Sequence, residues 1–179
     1  GQANHTGNMA DTIPPMGVQP YCFFADITKS VKQAVSIPVS TSGRIIDPEM
    51  GEGVLQSGKA DMIGIGRALL ADPDWTNKAA AGKASDIVRC ISCNEGCVDA
   101  ILNRGFIACV VNPENGFEAT RIITPAKVAK NVVVIGGGPA GLEAARVAAK
   151  KGHNVTLFEK ETRLGGQLNI ADVPPRKIE

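Results

Sequence analysis

The feature that most constrains the fold is a hydrophobic run that leads directly into a glycine-rich turn. Residues 132–135 predict a strand, and residues 141–150 predict an Ala-rich helix. Between them, Gly136 permits a tight turn, Gly138 lets the backbone approach a pyrophosphate, and Gly141 lets the helix pack close to the strand. The pattern predicts a βαβ unit that binds a dinucleotide at the helix N-terminus, with a purely structural turn as the alternative.

The second strand of this unit ends in an acidic residue. Residues 155–158 predict the strand, and Glu159 follows it, 21 residues after Gly138. An acidic side chain at this position bonds the ribose hydroxyls, and it favours FAD or NAD over NADP because it would repel a 2′-phosphate. Since a single βαβ unit cannot cover both faces of its sheet, we expect the chain to be a piece of a longer protein.

The second constraint is a group of cysteines. Four of the five cysteines lie within 20 residues, at Cys90, Cys93, Cys97 and Cys109. A 4Fe-4S cluster needs four thiolates and often takes three from one loop, as the first three are placed here. A structural zinc site usually has two separated pairs of cysteines, and zinc, disulfides or spare thiols are the alternatives. Cys22 stands apart and is predicted to be a small buried hydrophobic residue.

Residues 1–88 predict further βα units. Hydrophobic spacing predicts a helix over residues 23–34 and short buried strands at 37–40 and 62–65. Asp47-Pro48 and Asp72-Pro73 each predict the start of a helix, and Gly58 and Gly82 predict the ends of these helices. Alternating strands and helices indicate parallel strands with helices outside.

Each of the two predicted strands is followed by a Gly-Arg pair, Gly43-Arg44 and Gly66-Arg67. Barrel enzymes bind phosphate in the loops after their last two strands, where glycine exposes backbone N–H groups and arginine can grip the phosphate with two hydrogen bonds. A surface salt bridge for each arginine is the alternative, and the residues alone do not decide between the two.

Composition excludes some classes of partner. The chain of 179 residues has a net charge of +1, without a basic block or an acidic tail, so nothing indicates a nucleic-acid partner. No apolar run reaches the roughly 18 residues that a membrane span needs. The chain begins without a secretion signal, and clustered cysteines then indicate metal binding in a reducing compartment, for which we expect the cytoplasm.

Taken together, several segments resemble one family. GRIIDPEM, ADMIGIGRALLADPDW, CISCNEGC, CVVNPE, VVVIGGGPAGLEAARVAAKKGHNVTLFEK and LGGQLNIA are similar to the NADH:flavin oxidoreductases of the old yellow enzyme superfamily. The branch that they most resemble is the multidomain iron–sulfur branch of 2,4-dienoyl-CoA reductase and 2-enoate reductase. The resemblance implies an α/β protein in three parts: the C-terminal part of an FMN-binding TIM barrel (1–88), an iron–sulfur segment and linker (89–128), and the start of a Rossmann-like FAD/NAD(P)-binding domain (129–179).

The resemblance also implies which residues bind the cofactors. The FMN phosphate would be bound by Gly43, Arg44, Gly66 and Arg67, the 4Fe-4S cluster by Cys90, Cys93, Cys97 and Cys109, and FAD by Gly136, Gly138, Gly141, Glu159, Gly165, Gly166 and Gln167. His5 falls where the family's substrate-facing loop begins, and an ordinary loop histidine is at least as good a reading. No catalytic residue is assigned, because the family's proton-donating tyrosine would lie upstream.

The implied activity is electron transfer from NAD(P)H through FAD and the cluster to FMN, for reduction of an activated C=C bond in an enoate or enoyl-CoA thioester. The chain alone is expected to be inactive, and a homo-oligomer is possible for the whole protein. An amine dehydrogenase similar to trimethylamine dehydrogenase, or a non-catalytic zinc-binding module, is the alternative.

Overall fold

The computed structural model describes residues 16–171 and 173, except residue 18, so His5 lies outside the described residues. The chain forms two compact units, Gly1–Phe117 and Glu118–Glu179. All four clustered cysteines belong to the first unit, and the predicted three-part division stays a prediction. No helix in the described part of the chain is long and apolar enough to cross a membrane.

The first unit contains two short parallel strands among helices. Its elements are α1 (Ala25–Ala34), β1 (Ser40–Thr41), α2 (Pro48–Gln56), β2 (Met62–Ile63), α3 (Arg67–Ala71), α4 (Trp75–Ala80), a 3-10 turn (Ala84–Asp86), a π-helical turn (Glu95–Asp99) and α5 (Ala100–Leu102). β1 and β2 pair in parallel, with Ser40 beside Met62 and Thr41 beside Ile63. The parallel pair agrees with the prediction, although each strand is shorter than its hydrophobic run.

Helix α2 begins and ends where the sequence predicts. The Asp47 carboxylate accepts a hydrogen bond from the Met50 N–H at 2.9 Å, and Pro48 occupies the first turn. Gly58 follows the helix at a φ of +67°, a left-handed conformation that favours glycine. Local residue chemistry is sufficient here because both end signals lie within a few residues of the helix.

The predicted helix start at Asp72-Pro73 is wrong by a few residues. The Asp72 carboxylate bonds the N–H of Asp74 at 3.0 Å, but it also bonds the Val88 N–H at 2.9 Å and the Lys78 ammonium at 2.6 Å. Helix α4 therefore begins only at Trp75, and Asp72 ties the chain to the segment that leads to the cysteines. Helix α3 was not predicted, because its five residues are too few to show a helical period.

The core of the first unit consists of two small clusters. One contains Ala25, Val54 and Ala60, with Cys22 packed against it as a partly buried residue, which agrees with its predicted structural role. The other contains Ala68, Trp75 and Ile87. The Trp75 indole N–H donates to the Ile46 carbonyl oxygen at 3.1 Å and so joins α4 to the turn after β1.

The second unit is a βαβ unit, as the sequence predicts. Its elements are β3 (Asn131–Ile135), α6 (Pro139–Lys150), β4 (Asn154–Phe158) and α7 (Leu168–Ala171). β3 and β4 pair in parallel over five residues each, and α6 packs on one face of the pair. The other face carries exposed apolar side chains, with Val133 60%, Ile135 87% and Phe158 58% exposed. One helix covers only one face of a sheet, which is the physical reason for this exposure.

Candidate cofactor sites

The glycine turn between β3 and α6 has the geometry that its sequence predicts. Gly136 has a φ of +100°, which an L side chain rarely adopts. A Cβ added to Gly141 would lie 1.9 Å from the Gly136 carbonyl oxygen, so only glycine lets the helix pack this closely on the turn. At Gly138, by contrast, an added Cβ would meet nothing within 4 Å. The space in front of Gly138 is therefore open, as approach of a pyrophosphate requires.

Glu159 lies beside this turn. Its carboxylate accepts hydrogen bonds from the N–H groups of Gly137 at 2.6 Å and Glu161 at 2.9 Å. The bonds from the Glu161 and Gly137 N–H groups hold the pKa of Glu159 below its ordinary value. An ionised carboxylate can accept about four hydrogen bonds, so a ribose hydroxyl can still bind. Binding of ribose by Glu159 stays a prediction.

The second glycine turn packs against the first. The Gly165 N–H donates to the Gly137 carbonyl oxygen at 2.8 Å. Gly165 and Gly166 have positive φ angles of 113° and 52°, and a Cβ on Gly166 would lie 3.1 Å from the Gly138 Cα. The two turns thus meet through backbone atoms, and Gln167 follows directly with an exposed side chain. The predicted FAD-binding residues of both turns therefore lie together in the second unit.

In the first unit, the two Gly-Arg turns line one cavity. Gly43, Arg44, Gly66 and Arg67 all border it, and its volume is about 240 Å³. The Gly64 N–H donates to the Thr41 carbonyl oxygen at 2.7 Å and so holds the two turns side by side. Parallel strands end at the same edge of a sheet, and this places both arginines at one site.

The charges of this cavity suit an anion. Burial lowers the pKa of Arg44 below its ordinary value; Tyr21 opposes this shift, and the nearby positive charge of Arg67 adds to it. Two guanidinium groups that repel each other across one cavity are stabilised by a phosphate between them.

Arg44 differs from the prediction in its surroundings. It is only 6% exposed, and its guanidinium stacks over the Tyr21 ring, 4.2 Å from the ring centroid. Its Nε–H donates to Ser92 Oγ at 3.2 Å, and its Nη1 donates to the Gln19 carbonyl oxygen. The Arg44 side chain is thus buried and bonds the uncharged groups of Ser92 and Gln19, and the alternative of a salt bridge stays a prediction. Binding of the FMN phosphate by Arg44 and Arg67 also stays a prediction.

The four clustered cysteines line a second cavity. Cys90, Cys93, Cys97 and Cys109 border about 300 Å³ of unfilled space, part of it open to solvent, among mainly apolar neighbours. The Ala108 N–H donates to the Gly96 carbonyl oxygen at 2.7 Å, and this bond brings Cys109 to the other three cysteines. A Cβ on Gly96 would lie 2.7 Å from the Ala108 carbonyl oxygen, so the close approach requires glycine.

The chemistry of these donors fits an iron–sulfur cluster. All five cysteines are described, and all are free thiols, so the disulfide alternative does not apply to this structure. Burial raises the pKa of Cys90 and Cys97 and outweighs the opposing effects of a backbone N–H bond and of the Arg67 charge, which by themselves favour the thiolates that a metal needs.

The ligands of a single metal ion and those of a cluster differ in their spacing. Within the described ranges, no three or more His, Cys, Asp or Glu side chains are close enough to hold one ion. Thiolates around a zinc ion stand about 3.8 Å apart, from Zn–S bonds of about 2.3 Å in a tetrahedron. In a 4Fe-4S cluster each thiolate binds a different iron, so the ligands can be further apart.

Sequence reasoning missed the residues that hold the cysteine segment in place. Arg67 Nη1 donates to Asn94 Oδ1, and Arg44 bonds Ser92, as described above. The Asn112 side-chain amide donates to the Leu70 carbonyl oxygen of α3 at 2.8 Å. These partners are between 27 and 48 residues apart in the chain, so no local pattern could have revealed them.

Comparison with known proteins finds relatives among flavin-dependent oxidoreductases. Residues 12–86 match the NADH:flavin oxidoreductase / NADH oxidase family, and residues 131–176 match the FAD dependent oxidoreductase family. A bilirubin reductase of Mediterraneibacter gnavus (strain CC55_001C) is 63% identical over the whole chain, which covers 28% of that protein. A cinnamate reductase of Clostridium sporogenes is 42% identical over 92% of the chain and 24% of that protein. The chain thus spans about a quarter of the length of these relatives.

Solved structures are similar in fold over most of the chain. A complex of 2-naphthoyl-CoA reductase with 2-naphthoyl-CoA matches with a TM-score of 0.86 and 31% identity, over 91% of this chain and 25% of that one. Histamine dehydrogenase from Rhizobium sp. 4-9 matches with a TM-score of 0.82 and 30% identity, over 89% of this chain and 24% of that one. The two family matches describe flavin-dependent oxidoreductases, one with NADH as electron donor and one that depends on FAD.

Proposed function

The chain is a member of the NADH:flavin oxidoreductase / NADH oxidase family, in its iron–sulfur branch, and from this premise we propose that it carries the electron-transfer centre of an NAD(P)H-dependent reductase. Electrons would pass from NAD(P)H through FAD and a 4Fe-4S cluster to FMN. The observation that carries the proposal is the shared wall of two cavities in the first unit. Cys90 and Arg67 line both the cavity of the Gly-Arg turns and the cavity of the four cysteines.

Each group of residues has a separate task in this proposal. Arg67, Arg44 and the backbone N–H groups of the Gly-Arg turns hold the FMN phosphate, while the four cysteine thiolates hold the cluster. The two glycine turns of the second unit hold the diphosphate of FAD, and Glu159 bonds its ribose. The apolar neighbours of the cysteines, such as Leu70 and Val111, exclude water from the cluster cavity. When bound, an iron–sulfur cluster supplies one-electron transfer between flavins that exchange two electrons.

We further propose that the whole protein reduces an activated C=C bond of the enoate or enoyl-CoA type. The reaction would consume NAD(P)H and one proton for each double bond, with formation of NAD(P)+ and a saturated product. Support comes from the cinnamate reductase and 2-naphthoyl-CoA reductase among the matches. Four thiols that must stay free for the cluster also favour a reducing compartment such as the cytoplasm.

A second candidate is the oxidation of an amine. The match to histamine dehydrogenase has a TM-score of 0.82, close to the 0.86 of 2-naphthoyl-CoA reductase, so the fold favours both candidates about equally. The two candidates differ in the direction of electron flow. A reductase oxidises NADH when cinnamate is added, whereas an amine dehydrogenase reduces an artificial acceptor such as ferricenium when an amine is added.

The test of the cluster uses two matched cysteine variants of the protein, purified without air. We expect wild type to be brown, with about four irons per chain and absorption that bleaches on reduction. Cys93→Ser should lose iron and colour, because it removes one of four ligands, and Cys22→Ser should keep both, because Cys22 packs against the core of α1 and α2. Stoichiometric zinc without iron in the wild-type protein, or equal loss of iron in both variants, would refute the assignment of the four ligands.

A further inference from the structure

The loop that carries the first three cysteines is held by the two Gly-Arg turns. Arg44 Nε–H donates to Ser92 Oγ at 3.2 Å, and Arg67 Nη1 donates to Asn94 Oδ1. Ser92 and Asn94 are the two residues on either side of Cys93. Each Gly-Arg turn therefore makes one side-chain contact with the cysteine loop, immediately next to a candidate cluster ligand.

The conformation of the loop explains why such contacts are needed. Ser92 and Asn94 have φ angles of +55° and +62°, in the left-handed region, which serine adopts only at a cost and asparagine more readily. Because two such residues flank Cys93, the backbone bends there, and successive side chains point in directions that an extended loop cannot give them. Conformations of this kind persist only where the surroundings hold them. Arg44 and Arg67 are part of these surroundings.

The Arg44 contact is rigid because both of its ends are buried. Ser92 is 1% exposed and Arg44 is 6% exposed. The Ser92 carbonyl oxygen also accepts the Gly17 N–H at 3.1 Å, and the Arg44 guanidinium is fixed over the Tyr21 ring. A buried hydroxyl that bonds a buried cation is costly to separate, since the hydroxyl oxygen and the Nε–H would each lose this bond away from water.

The Arg67 contact lies between the two cavities. Arg67 borders the cavity of the Gly-Arg turns as well as that of the cysteines. A guanidinium has five N–H donors, and the bond to Asn94 uses only one of them. The Asn94 bond thus sets the orientation in which the other donors face an anion, while the positive charge stays close to the cysteines.

We infer that Ser92 and Asn94 are positioning residues that hold the cysteine loop in its ligand geometry. Through Arg44 and Arg67, they also couple the binding of an anion between the Gly-Arg turns to the binding of a cluster at the cysteines. The inference rests on the proposed function, because it takes the cysteines as cluster ligands. Coupling of this kind is reciprocal: the factor by which a bound cluster raises the affinity for FMN equals the factor by which bound FMN raises the affinity for the cluster.

The experiment removes each contact without adding strain. Ser92→Gly and Asn94→Gly delete the side-chain oxygen that the arginine bonds but make the left-handed conformation easier, so a defect does not come from backbone strain. Asn94→Asp keeps an acceptor for Arg67 and tolerates the same φ. Ser30→Ala is the matched control, since Ser30 lies exposed on α1 and its hydroxyl bonds only the local Asp26 carbonyl oxygen at 3.4 Å.

Three quantities are measured on the anaerobically purified holoprotein: the rate of iron loss to a chelator, the midpoint potential of the cluster, and the FMN Kd after removal of the flavin. We expect both glycine variants to lose iron severalfold faster to a chelator and to bind FMN roughly tenfold more weakly, the effect of one lost hydrogen bond to a charged group. Asn94→Asp should keep its iron, because the contact is preserved, but lower the midpoint potential and weaken FMN binding, because its negative charge offsets Arg67. Ser30→Ala should match wild type in all three.

Two results would overturn the inference in different ways. A wild-type protein that binds no iron removes the proposed function together with the positioning role. If the wild-type protein binds the cluster and both glycine variants have the wild-type chelation rate, midpoint potential and FMN Kd, the proposed function stands and only the positioning role is refuted. Loss of iron in Asn94→Gly with no change in FMN Kd would overturn the coupling.

Discussion

The most informative prediction compares the same substitution at two glycines of one turn, Gly138→Ala and Gly141→Ala. At Gly141 the new Cβ would lie 1.9 Å from the Gly136 carbonyl oxygen and 3.0 Å from its carbonyl carbon. Since Cβ atoms do not approach backbone atoms closer than 3.0 Å, helix α6 must move about 1 Å away from the turn. Overpacking of this kind costs about 1–3 kcal/mol, and here both partners are backbone, which cannot rotate away.

Gly138→Ala should have the opposite pattern. The added methyl group meets nothing within 4 Å, and Gly138 has a φ of −76°, which any residue adopts. Loss of glycine at the N-cap of α6 costs at most about 1 kcal/mol. The methyl group does, however, occupy the open space that a pyrophosphate would fill, so we expect FAD affinity to fall roughly tenfold or more, equivalent to about 1.4 kcal/mol.

Two assays separate these effects. Urea unfolding followed by circular dichroism gives the free energy of unfolding, and the ratio of flavin to protein absorbance after dialysis gives FAD retention. The single tryptophan, Trp75, lies in the first unit, so its fluorescence provides an internal reference for unfolding outside the glycine turn. Wild-type FAD retention in Gly138→Ala would refute the binding role of the turn, and wild-type stability in Gly141→Ala would refute the packing argument.

Three further predictions concern the first unit. Gly43→Ala should destabilise it by about 1–3 kcal/mol in urea unfolding, because Gly43 has a φ of +105° and a Cβ there would lie 2.5 Å from the Phe24 ring; a wild-type midpoint would contradict this. Burial alone would raise the pKa of Asp72, but the hydrogen bonds that it accepts, with Lys78 first among them, outweigh burial and bring the pKa below its ordinary value of 3.8. The ionised form of Asp72 therefore stabilises the fold above pH 3.8, and this effect is lost as pH falls through the lower pKa of the folded state. Asp72→Asn should therefore flatten the acid side of a plot of the urea unfolding midpoint against pH. An unchanged slope would argue against this prediction. Trp75→Phe removes a buried indole donor and should cost about 2 kcal/mol by the same urea assay, with no change in iron content.

What the sequence could predict follows from the range of the interactions involved. The end signals of α2, Asp47 and Gly58, act within a few residues, and both positions agree with the structure. The βαβ unit was equally accessible, since Gly136 and Gly141 constrain a turn between two adjacent elements. Helix α3 was missed because it is only five residues long, and the start of α4 was misplaced because Asp72 bonds Val88, which lies 16 residues further along the chain.

The cysteines show the same limit within a single site. Their spacing alone indicated a common metal site, because three thiols close together in a loop have few other uses. Which side chains hold that loop was invisible, since Ser92 and Asn94 have no motif of their own and gain a role only from Arg44 and Arg67, 48 and 27 residues away. Short-range chemistry therefore determined the elements and the candidate ligands from sequence alone. Only the tertiary structure could decide that Arg44 and Arg67 line one cavity and also bond the residues on either side of Cys93, because that depends on where two parallel strands end in space.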